Sequence, residues 1–276
     1  MKSISLTVLT ENTAQGHGLL AEHGLSFWIN IGTQHILFDT GQTDVLCHNA
    51  SLLGIELSSA DAIVLSHGHY DHTGGLYAVL NKVKEIKVFA HPETLSDKYA
   101  QNRDGTARDI GIPVKSKKTL QNSATLVPTE SPTETGDGFV ITGPIPRTTD
   151  YENTGGPFFK DKTCQQPDDL VDDQAAFLDT PSGIIVILGC AHAGIINTLK
   201  YIKQLLPKRP IHTVIGGTHL LTANETRMTK TIAALREMNI QRLLPLHCTG
   251  FAAAARLWKE FPNHVALCPV GTMIKL

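Results

Sequence analysis

Thirteen histidines occur in this chain of 276 residues. Imidazole is the commonest metal ligand and the usual general base near neutrality, so these residues are where chemistry is sought first. The densest group is Ser66-His67-Gly68-His69-Tyr70-Asp71-His72-Thr73-Gly74-Gly75, directly after the apolar run Asp61–Leu65. In extended backbone, side chains alternate with period two, which puts His67, His69 and Asp71 on one side of the strand end. His72 falls where the chain turns into a helix and can enter from the adjacent direction. Imidazole plus carboxylate is a borderline donor set suited to zinc, iron or manganese, and four such groups saturate one ion or share two. A histidine-rich surface loop would account for one or two of these residues, but not for H-x-H-x-D-H behind a buried strand.

The elements that must position this cluster follow from hydrophobic period and turn residues. Strands are expected at Ser3–Thr10, Gly24–Ile31, Ile36–Asp39, Asp61–Leu65 and Lys87–Ala90, with helices at Thr43–Leu53 and Gly75–Val83. Residues 92–170 lose clear periodicity, with short strands expected only near Ala124–Val127 and Phe139–Thr142; a stretch of this length suggests a lid or substrate-binding insert. Order returns with Ala175–Asp179, Ile184–Leu188, the helix Ile195–Leu206 and Ile211–Ile215. A capping box at Thr222-Ala223-Asn224-Glu225 opens a helix through Met228, Ile232, Leu235 and Met238. Leu243–Leu246, the helix Phe251–Phe261 and the strand Val265–Leu267 close the chain. Strands punctuated by helices, twice over, predict one α/β (α+β) domain over 1–276: an αββα sandwich of two mixed sheets with outer helices.

Composition narrows the function. A net charge of −2 and 6% aromatic content give no footprint for nucleic acid. The N-terminal alternation lacks a signal-peptide pattern and no apolar run is long enough for a membrane span, which together predict a cytoplasmic protein. The five cysteines are scattered without C-x-x-C spacing, so neither a disulfide framework nor a zinc ribbon is expected. Gly16-His17-Gly18-Leu19-Leu20-Ala21 fits a loose dinucleotide fingerprint but leaves no room for its helix before the next strand. Cys190-Ala191-His192 is too tightly spaced for a cysteine-hydrolase pair.

H-x-H-x-D-H at a strand end, preceded by Leu37-Phe38-Asp39-Thr40-Gly41, resembles the metallo-β-lactamase-fold hydrolases. The blocks Glu22-His23-Gly24-Leu25-Ser26-Phe27, Gly143-Pro144-Ile145-Pro146-Arg147, Gly189-Cys190-Ala191-His192-Ala193-Gly194, Gly216-Gly217-Thr218-His219-Leu220 and Leu246-His247-Cys248-Thr249-Gly250 are similar to its dihydropterin–ribofuranosylaminobenzene phosphate synthase-like branch. The resemblance implies one metal held by His67, His69 and His192, and a second by Asp71, His72 and His247. Many relatives carry Gly-Asp where this chain has Gly189-Cys190, so a thiolate bridges, the metals are held differently, or only one binds tightly. Asp39 is expected to orient a ligand histidine rather than to bind metal. His219 ligates metal, contacts substrate or transfers a proton, and Asp71 is a second candidate for proton transfer. Glu22 and His23 line the substrate rim or serve structure. Arg147 pairs with a phosphate or carboxylate, or is a surface residue. Asp172-Asp173-Gln174 presents a carboxylate to the cleft or caps a turn.

Two divalent ions, zinc before iron or manganese, would activate water against a small, anionic, phosphorylated or ester-like substrate. The alternatives are a transferase condensing a dihydropterin pyrophosphate with a ribofuranosylaminobenzene phosphate, and a non-catalytic metal-binding or sensing protein.

Overall fold

Strand alternation sorts the apolar side chains into three layers in the computed structural model, which describes residues 3–83 and 85–276. Along Ser26–Ile31, Phe27, Ile29 and Ile31 face one cluster while Trp28 faces another; along Gly183–Leu188, Ile185 and Ile187 oppose Ile184, Val186 and Leu188. The central layer therefore lies between two sheets. The outer layers bury one stripe of each flanking helix: Leu46 and Ala50, Leu76 and Val79, and Leu120 on one side; Ile195, Leu199 and Ile202, Met228 and Ile232, and Leu257 on the other. This is the expected αββα sandwich, as burial of one face per helix and two faces per strand requires.

The first sheet orders its strands Met273–Lys275, Ile4–Thr10, Ser26–Ile31, Gln34–Phe38, Ala62–Val64, Ile86–Ala90 and Ala124–Pro128. The second runs Arg242–Leu246, Ile211–Gly217, Gly183–Leu188, Ala175–Thr180, Phe139–Ile141 and Thr133–Gly136. Each sheet is part antiparallel and part parallel, with Gln34–Phe38, Ala62–Val64 and Ile86–Ala90 parallel in the first, and Gly183–Leu188, Ile211–Gly217 and Arg242–Leu246 parallel in the second. The histidine blocks follow the C-terminal ends of these parallel strands, where open α/β sheets collect functional groups.

The stretch 92–170 differs from its expectation. The strands expected near Ala124–Val127 and Phe139–Thr142 are present as Ala124–Pro128 in the first sheet and Phe139–Ile141 in the second, but the stretch also adds Thr133–Gly136 to the second sheet and the helix Val114–Ser123. A third small sheet of Phe158–Phe159, Tyr99–Gln101 and Ala107–Asp109 is built within it. The strands that were not expected, Tyr99–Gln101, Ala107–Asp109, Thr133–Gly136 and Phe158–Phe159, are only two to four residues long, too short for alternation to register. At the other end of the chain, Val265 makes only an isolated bridge with Leu243, and the terminal strand is Met273–Lys275. The helix expected after a Thr222 cap begins at Glu225, capped by Asn224, whose side chain accepts from Arg227 N. Gly16–Ala21 is a loop with no helix, tied to Val45–Leu52 through Leu20 N and Asn49 Oδ1 at 2.9 Å.

Candidate metal centre

The chain leaves Ala62–Val64 through Leu65 and Ser66 and turns at Tyr70–Thr73 into a single helical turn. His67, His69, Asp71 and His72 are all buried. His67 Nε2 and His69 Nδ1 are 3.0 Å apart. His192, just past Gly183–Leu188, completes this trio, with ring centroids 4.9 Å from both His67 and His69. On the other side, Asp71 Oδ2 lies 3.3 Å from His247 Nε2 and 3.2 Å from His23 Nε2. His72 Nε2 is 3.3 Å from His247 Nε2 and 3.1 Å from Cys190 Sγ.

The outward nitrogens of four of these rings are held by the protein. His67 Nδ1 meets Ser66 Oγ at 2.9 Å, His72 Nδ1 meets Asp39 Oδ2 at 2.6 Å, His192 Nδ1 meets Thr154 O at 2.8 Å and His247 Nδ1 meets Asn12 Oδ1 at 2.9 Å. Such contacts fix the tautomer and aim the inner lone pair. A carbonyl only accepts, so His192 carries its proton on Nδ1 and presents an unprotonated Nε2. That Nε2 is buried and has no partner among the described residues. A buried lone pair aimed at the other donors suits a bound cation. Zn–N bonds of about 2.0–2.1 Å in a tetrahedron separate donors by roughly 3.3 Å, close to the spacings found here. The residues fit a divalent cation.

Electrostatics divides the cluster. Burial drives His67 and His192 well below the ordinary imidazole range and His69 to about 3, so these rings are neutral. Burial also opposes charge on His72, but the Asp39 and Asp71 carboxylates outweigh it and hold the ring near 9. Asp71, despite its burial, is held well below the ordinary carboxylate range by His72, His23 and His247. Burial pushes the Cys190 thiol well up, with Cys248 adding to the effect.

Backbone strain and close approach mark the same loops. Asp39, Ala191, His219 and His247 have φ of 56°, 55°, 48° and 49°, left-handed values that cost non-glycine residues energy and cluster at functional sites. A Cβ on Gly189 would lie 2.0 Å from Ser66 Oγ, the hydroxyl that braces His67, so only glycine fits.

The structure brings His67, His69, Asp71, His72, His192, His247 and Cys190 together. Asp39 sits behind them, accepting from Ser66 N at 2.7 Å as well as contacting His72. His219 stands beside His192 with centroids 4.3 Å apart, its Nδ1 buried and without a partner among the described residues. His23, half exposed, reaches Asp71 itself rather than only the rim.

For two residues the structure shows side chains engaged by the protein itself. Glu22 spends both carboxylate oxygens on the loop before Val45–Leu52, accepting from Gln42 N at 2.8 Å and Thr43 Oγ1 at 2.6 Å. Arg147 donates to His192 O at 2.9 Å and Asp169 O at 2.6 Å. Neither lines the cavity; Arg147 braces the ligand loop through its main chain.

Asp172 and Asp173 brace as well. Asp172 accepts from Gly68 N at 2.8 Å and from Lys98 Nζ at 2.8 Å, while Asp173 accepts from Ala193 N at 2.8 Å. Lys98, Asn12 and the cavity residue Arg108 were not legible in the sequence, since none belongs to a local pattern, and Cys248 was given no role although it stands in the block Leu246–Gly250.

The cluster forms the floor of a cavity of about 570 Å³. Its walls are largely apolar, including Phe158, Leu221, Phe251 and Leu267, with Arg108 and Tyr70 supplying polar groups.

Comparison with known proteins accords with this geometry. The model of the metallo-beta-lactamase superfamily matches residues 20–157. An uncharacterized protein of Methanocaldococcus jannaschii is 36% identical over 91% of this chain and 93% of its own length. The chain belongs to the metallo-beta-lactamase superfamily. A second M. jannaschii protein, 30% identical over 92% of this chain and 90% of its own, is named 7,8-dihydropterin-6-methyl-4-(beta-D-ribofuranosyl)-aminobenzene-5'-phosphate synthase. Among solved structures, Tm1679, described as a metal-dependent hydrolase of the beta-lactamase superfamily, superposes with a TM-score of 0.84 at 31% identity, covering 99% of each chain. Zn(2+)-bound PqqB from Methylobacterium extorquens shares the fold, with a TM-score of 0.59 at 12% identity over 99% of this chain and 100% of its own. The fold is one that generally binds divalent metals, and superfamily members are typically metallohydrolases. Among the described residues, no helix is long and apolar enough to cross a membrane.

Proposed function

We propose that this protein is a metal-dependent hydrolase of a small anionic substrate, a phosphoester or a carboxylic ester. The observation that carries the reading is the convergence of inner donors from His67, His69 and His192 beside those of Asp71, His72 and His247, with the outward nitrogens of four of these rings already engaged. His67, His69 and His192 would hold one cation and Asp71, His72 and His247 a second, with zinc the first choice for such a donor set. A divalent cation in this cradle supplies Lewis acidity, lowering the pKa of water and drawing charge from a phosphoryl or carbonyl oxygen.

The chain's own groups then divide the work. Asp71, kept anionic by His72, His23 and His247, is placed to accept a proton. His219, beside His192 on the cavity wall, is placed to contact substrate or deliver a proton to a leaving group. Arg108 at the cavity wall offers a planar cation for phosphate or carboxylate. The apolar walls exclude water and strengthen each of these interactions.

The test is turnover of phosphodiester and ester panels by zinc-loaded protein. We expect activity that chelation abolishes, that zinc restores, and that a His69→Ala, Asp71→Ala double variant lacks. Turnover indifferent to both chelation and the double variant would refute the reading. A transferase reading is favoured by the named synthase that aligns over 92% of the chain. Product formation from a dihydropterin pyrophosphate and a ribofuranosylaminobenzene phosphate, without ester hydrolysis, would select it.

A further inference from the structure

Cys190 follows Gly183–Leu188 and Cys248 follows Arg242–Leu246, two strands separated in the sheet by Ile211–Gly217. Side chains from strands so placed ordinarily have a third chain between them. Here the intervening residue is Gly217, and a Cβ there would lie 2.5 Å from Cys248 Sγ and 3.3 Å from Cys190 Cα. The missing side chain opens a gap through which the thiols approach: the Cys190 and Cys248 sulfurs and a ligating atom of His247 all lie within 4.8 Å of one another. Both residues are buried within the fold, yet both line the cavity, so a small solute has a path to them. Both are free thiols.

We propose that Cys190 and Cys248 are an oxidisable dithiol, a modification site on the cavity floor that peroxide converts to a disulfide. Cys248, whose Sγ accepts the main-chain N–H of His219 at 3.3 Å and lies 3.5 Å from Cys190 O, is assigned the first attack. Its sulfur attacks one oxygen of hydrogen peroxide, breaking the O–O bond to give a sulfenic acid and water. The sulfur of Cys190 then attacks that sulfenic sulfur, and the expelled hydroxide takes the thiol proton. Two thiols and one peroxide thus become one disulfide and two waters. Bond formation requires the sulfurs to close to about 2.05 Å, which draws Cys190 Sγ away from its place 3.1 Å from His72 Nε2. The consequence for the cation held near His72 rests on the function proposed above; the dithiol itself does not.

The experiment exposes zinc-loaded protein to graded hydrogen peroxide, maps disulfide-linked peptides by mass spectrometry without reductant, and follows released zinc with a chromophoric chelator. A peptide pair joining Cys190 to Cys248 is expected at low peroxide, with zinc release in step and both reversed by dithiothreitol. Cys248→Ser should form no such pair and should release several-fold less zinc at the same dose. Cys47 and Cys164 serve as internal references, being half-buried thiols outside the cavity. The proposal is overturned if Cys190 and Cys248 stay reduced, or are each over-oxidised without linkage, while the reference thiols react. Zinc content before peroxide reports separately on the proposed function: linkage in a protein that takes up no zinc would sink that reading and leave the dithiol standing.

Discussion

At His192 a single hydrogen bond decides chemistry. Thr154 O fixes the proton on Nδ1 and so leaves Nε2 as a buried lone pair. Asp39 plays the corresponding part for His72 with a charge instead of a dipole. Asp39→Asn keeps shape but removes that charge, and is expected to weaken zinc binding about 10–100-fold. Competition against a chromophoric chelator measures it, and unchanged affinity would remove Asp39 from the metal-supporting groups. Glu22 is a contrasting case, since its carboxylate is consumed by Gln42 and Thr43. Glu22→Ala should lower stability by about 1–2 kcal/mol in denaturant unfolding and leave KM as it was. A raised KM with unaltered stability would return Glu22 to the substrate rim.

At the scale of elements, the loops carrying the ligands are rigid because other segments grip their main chains. Lys98, only 2% exposed, joins Asp168 and Asp172, and Asp172 in turn accepts from Gly68 N between the two histidines. Lys98→Met would strand two buried carboxylates and should cost about 3–5 kcal/mol of stability. Burial pulls the Lys98 ammonium down, but Asp172 and Asp168 outweigh it and hold its pKa above 10.5. A raised cationic pKa contributes stability that is complete below pH 10.5 and disappears as pH climbs through the folded-state value. Thermal unfolding should therefore show an alkaline loss in the parent protein that is absent from Lys98→Met; identical alkaline profiles would contradict this. None of these grips is written locally. His67 to His72 were legible because their spacing is itself the geometry, and His192 and His247 because each follows an apolar strand. For Arg147 and Glu22 the sequence left two roles open, because a charged side chain beside a motif looks the same whether it meets a ligand or a main chain.

Across the whole molecule, two sheets deliver their parallel strand ends to one floor. The apolar runs Ile184–Leu188 and Ile36–Phe38 announced buried strands by composition alone, and the sandwich follows from the need to cover both faces of each sheet. What stayed hidden was the membership of 92–170. Thr133–Gly136 is held by its hairpin neighbour Phe139–Ile141, and Tyr99–Gln101 by the nearby Ala107–Asp109 and the distant Phe158–Phe159, so these strands are set by their pairing partners rather than by their own residues. That segment contributes Phe158, Arg108 and Ile110 to the cavity, so the region least legible in sequence supplies part of its wall. Whether inner donors from both sheets share cations is read from a zinc-loaded crystal measured at the zinc absorption edge. Anomalous density is expected about 2.0–2.1 Å from nitrogens of His67, His69 and His192, with a second peak beside Asp71, His72 and His247. Density lying elsewhere, or imidazoles turned away from an empty floor under saturating zinc, would contradict such sharing.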